Sequence, residues 1–364
     1  MTLELIASGP DHPLAARLLQ AKRAYTTRRV PLAAMRSLHT DRSAAPESGD
    51  LVLARVTRLG HHGALQGMDG RRITLFEGDE IVVGYGARYA PDQFEAVVPD
   101  RLEGCHLVAG GGVAAQVLAR HGKTRAATAI EPVGLLLDDD GRRVNLRDHA
   151  LPAAALPRGR QPVTIASLGT SMNAGKTTSA AHLIRGLVRA GLRVAAAKVT
   201  GTGASGDPAL LRDAGALRVL DFTDAGRVST AGMAPADLET LAATLVAHLA
   251  GAGVDAIVLE VADGLFQRET GALLNSPRFT GLLDGVVFAA GDAMGATAGA
   301  AWLAQRGLTP LALAGTMTNS PLAAREAAEA SGLPVLGLDA LASADGARAL
   351  WSRAAASRAT AQAA

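Results

Sequence analysis

The feature that most constrains this chain is the stretch Thr164 to Thr178, T-I-A-S-L-G-T-S-M-N-A-G-K-T-T. An apolar run, Val163 to Leu168, leads into Gly169, and an amphipathic helical pattern, Ser179 to Ala190, follows Gly175-Lys176-Thr177-Thr178. Strand, glycine-bounded loop and helix stand in the order a phosphate-binding loop needs. The backbone supplies the chemistry: N–H groups of a tight loop and of a helix N-terminus converge on one hollow and hold phosphate oxygens. Gly169, Thr170, Asn173, Ala174, Gly175, Lys176, Thr177 and Thr178 are the expected nucleotide-binding residues. Lys176 would reach the β- and γ-phosphates, and the Thr177 hydroxyl would ligate Mg²⁺. There is one departure. The common spacing puts a glycine where Thr170 stands; here the glycine is Gly169, one residue earlier.

From Val163 onward, apolar strand patterns recur at 163–168, 192–198, 255–260, 285–290 and 310–315, with a last one expected at 334–337. Helical patterns lie between them at 177–190, 235–252, 295–306 and 321–331. Continuous apolar strands alternating with helices imply a parallel sheet covered on both faces. Ligands in such sheets bind beyond the carboxyl ends of the strands.

Those ends carry chemistry. The second strand ends at Lys198, a charge that is costly to bury unless it meets an anion. Thr200-Gly201-Thr202-Gly203 follows, and Thr202 is a candidate substrate contact. The third strand ends at Glu260, where a carboxylate holds Mg²⁺ directly or through water. Asp213, between these two strands, is a further candidate metal ligand, and Asn319, after the fifth, is placed to read a nucleotide base. Lys176, Lys198 and Glu260 form the expected catalytic set; Thr177, Asp213 and Glu260 form the expected metal set.

The first half reads differently. A short helix is expected to end near Ala24, and Leu51–Val56, Arg72–Phe76 and Ile81–Tyr85 have strand character, suggesting a small β-barrel or rolled sheet. His106 to Leu118 reads as strand, glycine turn and helix N-terminus around Gly110-Gly111-Gly112. The segment Arg88 to Glu95 concentrates charge, amide and aromatic groups, and marks a loop reaching a site, with Arg88 binding an anionic substrate group. The alternative is an Arg88–Asp92 or Arg88–Glu95 pair that shapes the loop. The domain plan is therefore 1–150, mostly β; an Ala/Pro-rich linker, 151–162; an α/β parallel-sheet domain, 163–350; and a flexible tail, 351–364.

Composition excludes several classes. With 364 residues and 48% hydrophobic content the chain can bury two cores, but only 3% is aromatic, so Ala, Val and Leu must build them. A net charge of +2 points to neither nucleic acid nor a membrane surface. The single cysteine, Cys105, rules out an internal disulfide and a multi-cysteine metal site. The opening MTLELIASGPDHP has no leader pattern, and no apolar run is long enough to span a bilayer, so a cytoplasmic location is expected.

The loop Gly169-Thr170 to Gly175-Lys176-Thr177 resembles that of dethiobiotin synthetase and its relatives, whose longer spacing matches the shifted glycine. Lys198 through Thr202-Gly203 is similar to that family's Lys-Pro-Val-x-Ser/Thr-Gly stretch, with Val199 for proline. Glu260-Val-Ala-Asp-Gly264 is similar to its Glu-Gly-Ala-Gly-Gly, with two glycines lost. The resemblance covers about 162–340 and implies Asp213 as the acidic Mg²⁺ ligand and Asn319 as the adenine contact. A looser resemblance in layout is to the P-loop family that includes D-glutamate N-acetyltransferase. Partition-type ATPases carry a second lysine early in the loop, and Thr170-Ser171-Met172 has none. Cobyric-acid-type amidotransferases need a glutaminase cysteine in an extra domain, and nickel or cobalt chaperones need His or Cys clusters. An Asn-Lys-x-Asp motif is absent, which favours ATP over GTP. The expectation is an ATP- and Mg²⁺-dependent ligase or kinase acting on a small anionic carboxylate or carbamate, with a homodimer left open. The alternatives are a nucleotide-switched regulatory ATPase and an N-acyltransferase.

Overall fold

The computed structural model describes residues 14–159 and 161–363. Residues 1–13, read above as carrying no leader pattern, lie outside the described residues, as do Arg160 of the expected linker and Ala364 of the expected tail. The chain forms two compact units. The first runs to Ala150 and also takes in Thr202–Ser205 and Gly226–Ser229; the second holds Leu151–Gly201, Gly206–Ala225 and the chain from Thr230 on.

In the first unit, α1 (Leu14–Gln20) precedes β1 (Lys22–Arg23) and β2 (Ser37–His39). Then come β3 (Leu51–Arg58), β4 (Ala64–Gln66), β5 (Arg72–Thr74), β6 (Glu80–Tyr85), β7 (Arg88–Tyr89), β8 (Phe94–Val97), β9 (Cys105–Ala109), β10 (Val113–Arg120) and β11 (Thr128–Leu137). Pairings β6–β3, β3–β11, β11–β9, β9–β10 and β10–β6 close a five-stranded ring, in which only β10–β6 is parallel. Strand periodicity explains its two cores. Val52, Ala54 and Val56 of β3 pack with Ile81, Val83 and Tyr85 of β6 in one core, while Leu51, Leu53 and Val82 join the other. The glycine run 110–112 is therefore the turn of the β9–β10 hairpin, and the helix expected after it is strand β10. Val113, Ala114 and Ala115 are all buried there, which a strand covered on both faces requires.

The second unit is a six-stranded sheet, parallel throughout, in the order β14-β13-β15-β12-β16-β17. Its strands are β12 (Val163–Gly169), β13 (Val194–Lys198), β14 (Arg218–Asp221), β15 (Ala256–Glu260), β16 (Gly285–Ala289) and β17 (Ala312–Ala314). Its helices are α2 (Lys176–Arg189), α3 (Gly206–Asp213), α4 (Pro235–Ala250), α5 (Arg268–Leu274), α6 (Pro277–Thr280), α7 (Ala293–Ala304), α8 (Pro321–Ser331), α9 (Leu338–Ala342) and α10 (Ala344–Ala363). Ala166 and Leu168 of β12 face one core with α4 and α7; Val163 and Ile165 face the other with α2 and α10. After β12 the chain builds strands on one side of it, then crosses to β16 on the other. The carboxyl end of β12 is therefore the switch point at which open α/β sheets bind ligands.

Three further expectations are corrected. The strand expected at 334–337 reduces to one bridge, Leu313 to Val335, because Pro334 has no N–H to extend a ladder. The tail expected at 351–364 is helix as far as Ala363, held by the buried Ala354 and by Arg358, whose guanidinium pairs with Asp284. The linker expected from 151 is tied into the second unit at its start, where Leu151 N–H donates to the Asp224 carbonyl over 2.8 Å.

Candidate active site

Gly169 ends β12 because nothing larger fits. A Cβ there would lie 2.7 Å from Lys176 Cγ and 2.9 Å from the Ala289 carbonyl oxygen. That contact accounts for the shifted glycine: the lysine side chain passes over residue 169, not 170. The loop is stitched to its neighbours at both ends. Thr170 N–H donates to the Ala289 carbonyl over 3.0 Å, and Thr316 N–H donates to the Ala174 carbonyl over 3.0 Å. Ser167 Oγ donates to the Lys176 carbonyl over 2.9 Å.

Helix α2 opens on Gly175, whose φ of +99° suits glycine and which has no side chain to cap the helix. By contrast, α5, α6, α7 and α8 are capped by Gln267, Ser276, Asp292 and Ser320. The first-turn N–H groups of α2, from Lys176 to Thr178, thus have no side-chain cap, as a helix start that takes an anion requires. Lys176 is 6% exposed and donates from Nζ to the Ser171 carbonyl over 2.7 Å, lying back across the loop. Burial lowers its pKa, partly opposed by the nearby Glu260 and Asp263 carboxylates. Among the described residues two non-glycines have left-handed backbone, Asn173 (φ 64°) and Asp263 (φ 65°). Asn173 belongs to the loop and Asp263 is close enough to act on Lys176 electrostatically. Each such residue costs about 1–2 kcal/mol, a cost that clusters at functional sites.

The register of the sheet assembles the charges. Glu260 of β15 stands opposite Ser167 of β12 on one side and Lys198 of β13 on the other. The Glu260 carboxylate is buried: Thr177 Oγ1 donates to its Oε1 over 3.4 Å, and Lys198 Nζ stands 3.3 Å from its Oε2. That second contact is an ion pair without hydrogen-bond alignment. Lys198 Nζ also pairs with the Asp207 carboxylate at the start of α3. Burial raises the Glu260 pKa, and Lys198 opposes the rise. Burial alone would lower Lys198, but Glu260 and Asp207 together outweigh it and hold the ammonium above its ordinary range.

Of the residues expected from sequence, Lys176, Thr177, Lys198 and Glu260 come together here. Asn173 and Thr178 are exposed beside them, Ala174 is buried under the loop, and Asn319 is exposed after β17 at the same edge of the sheet. Asp213 does not join them. It is the exposed last residue of α3, and the six-residue separation from Asp207 (213 − 207) is about 1.7 helical turns. That turns it to another face. Asp207 is the ligand candidate the sequence reading missed, and an acidic residue just before Pro208 at a helix start was the signal for it. Thr202 belongs to the first unit, bridging to Ser229. Arg88 is also a structural residue of that unit. Its guanidinium donates to the Val108 carbonyl, donates to Gln93 Oε1 over 2.8 Å and lies 5.8 Å from the Phe94 ring centroid. His62 beside it, its pKa pushed down to about 4 by burial, is neutral at pH 7 and does not repel the guanidinium. These contacts tie Arg88 into its own unit and shape the loop.

A parallel sheet whose central strand runs through such a loop into a helix, with a lysine folded over the loop and a buried acid on the next strand, is an α/β layout suited to holding phosphate groups. Solved structures to which the chain is similar include signal recognition particle 54 kDa protein from Aeropyrum pernix K1 in complex with GDP, at 17% identity and a TM-score of 0.37 over 55% of this chain and 50% of that one. Signal recognition particle receptor FtsY from Elizabethkingia anophelis in complex with GDP gives 16% identity and a TM-score of 0.33, covering 50% and 59%. Cell division protein ftsY from Thermotoga maritima gives 17% and 0.31, covering 52% and 66%. The chain thus spans about half to two thirds of the solved chains it matches. No protein-family model and no curated protein matches it.

Proposed function

We propose that the second unit binds a nucleoside triphosphate with Mg²⁺ and transfers its terminal phosphoryl group to a small anionic acceptor, a carboxylate or carbamate. The observation that carries this reading is the Thr177–Glu260 contact of 3.4 Å beneath the uncapped start of α2. A hydroxyl and a buried carboxylate are hard oxygen donors of the kind Mg²⁺ takes, set where a β/γ-phosphate pair would supply the remaining ligands. Thr177 and Glu260 would hold the metal, with Asp207 in reach through Lys198's place. Bound there, Mg²⁺ would neutralise charge on the transferring group. Lys176 would leave the Ser171 carbonyl for phosphate oxygens. Phosphoryl transfer asks chiefly for positioning and charge neutralisation, and this edge of the sheet is built of both. ATP is the favoured nucleotide, since no Asn-Lys-x-Asp motif is present to read guanine.

The test is titration of full-length protein with ATP and with GTP in Mg²⁺, followed by ADP or GDP release in the presence of small acids. Lys176→Ala is expected to weaken triphosphate binding about 100-fold or more while circular dichroism stays native. Equal affinity in the folded variant would overturn the site. Nucleoside diphosphate released only when an acid is present supports the acceptor; slow release indifferent to acids points instead to a nucleotide-controlled switch.

A further inference from the structure

We infer that Lys198 is a resident counter-cation that holds the metal's place until the metal arrives, and that loading the metal expels it. The inference rests on the metal–nucleotide reading above, and deepens it. The Lys198 ammonium stands between two carboxylates, paired with Asp207 and 3.3 Å from Glu260 Oε2. The other Glu260 oxygen faces Thr177 Oγ1. The oxygens gathered around the lysine are therefore the oxygens a divalent cation would use. An ammonium and a dication cannot both sit against them: the two positive charges would share one buried space, and there are no ligands to spare. Among the described residues no group of three or more His, Cys, Asp and Glu is placed to hold a metal.

Why the lysine is needed follows from burial. Glu260 is 1% exposed, and its Oε2 accepts no aligned hydrogen bond. A carboxylate so placed stays ionised only beside a cation. Without Lys198 the empty site would either take up a proton or bind any available metal without nucleotide. With it, the site is electrically satisfied while empty, and free metal must displace an ion pair to enter. A metal brought in by phosphate oxygens arrives with its charge already shared, and the released ammonium then has the phosphoryl group or the acceptor's carboxylate to turn to. The device thus couples metal entry to nucleotide entry, and moves a positive charge toward the reacting groups at the same moment.

Mn²⁺ titration of the nucleotide-free full chain, followed by electron paramagnetic resonance, tests this. Wild-type protein is expected to bind free Mn²⁺ weakly. Lys198→Met should bind it at least tenfold more tightly, and should gain more melting temperature from Mn²⁺ than wild type does. Adding Glu260→Gln to that variant should abolish the gain. A folded Lys198→Met whose free Mn²⁺ affinity equals or falls below wild type overturns the inference. Should Lys198→Met not fold, Lys198→Arg keeps the charge and forks between the two carboxylates, so it leaves less readily. It should bind nucleotide in EDTA as wild type does, yet bind Mn²⁺ to that complex at least tenfold more weakly; unchanged Mn²⁺ affinity overturns the inference equally. Nucleotide titration of wild type in EDTA separates the two readings. No triphosphate binding there or with metal refutes the nucleotide site, while the free Mn²⁺ comparison still decides the lysine.

Discussion

At the scale of residues, the site turns on which carboxylate of α3 faces inward. Asp207 and Asp213 share a helix and a charge, and a reading by position after the second strand selects the later one. Helical geometry selects the earlier, because only the first turn of α3 reaches Lys198. Asp207→Asn should therefore weaken Mn²⁺ binding to the nucleotide complex about tenfold, whereas Asp213→Asn should leave it within twofold; isothermal titration of both variants measures the difference, and the reverse order would return the role to Asp213. Lys176, Thr177, Lys198 and Glu260 were legible in sequence because each sits at a fixed offset from an apolar strand or from the glycine loop. Arg88 was not. The segment around it looks like a site because buried arginine needs the same polar company as a bound anion, and it is the fold that brings Val108 and Gln93 to supply it.

At the scale of elements, what sequence shows best is periodicity. The strands beginning β12, β13, β15, β16 and β17 and the helices α2, α4, α7 and α8 fall where apolar runs and 3.6-residue patterns put them. The edge strand β14 went unseen: its four residues, Arg218–Asp221, are too few and too polar to announce themselves. Nor does periodicity show how closely elements approach. Gly264, in the turn after β15, lies so near the loop that a Cβ would stand 2.2 Å from the Thr170 carbonyl oxygen and 3.0 Å from Ser171 Cα. Both obstacles are backbone, so neither can swing aside. Gly264→Ala should push the phosphate loop off its register with β16, costing about 1–3 kcal/mol of stability and at least tenfold in triphosphate affinity. Thermal melts and nucleotide titration check this; an alanine variant with wild-type melting and affinity would show that the loop is not fixed from that side.

At the scale of the whole molecule, the second unit is closed by an element the sequence reading left as tail. Beyond Leu350, α10 meets the amino ends of four strands. Trp351 Nε1 donates to the Asp255 carbonyl before β15 over 3.3 Å, and Arg353 Nη1 to the Leu311 carbonyl before β17 over 2.9 Å. Arg358 donates to the Gln161 and Pro162 carbonyls before β12, over 2.7 and 2.6 Å, and from Nε to Asp284 Oδ1 before β16 over 2.7 Å. Asp284 Oδ2 in turn accepts from Thr164 N–H over 2.7 Å. Ala347, Leu350 and Ala354 of the helix are buried in the core it shares with α2, and these polar ties add to that packing. Arg358→Ala would leave the Asp284 carboxylate, 9% exposed, without its cation. That loss is expected to cost about 2–4 kcal/mol, or about 10 °C in melting temperature for a unit of this size. Truncation after Leu350 should cost more. Because every tie lies at the amino edge and the phosphate loop at the carboxyl edge, triphosphate affinity in the cold, where the variant stays folded, should change less than threefold. Calorimetry and nucleotide titration of Arg358→Ala separate the two edges. A variant that melts as wild type would remove the clamp, and one that loses affinity without losing stability would show that the amino edge governs the site.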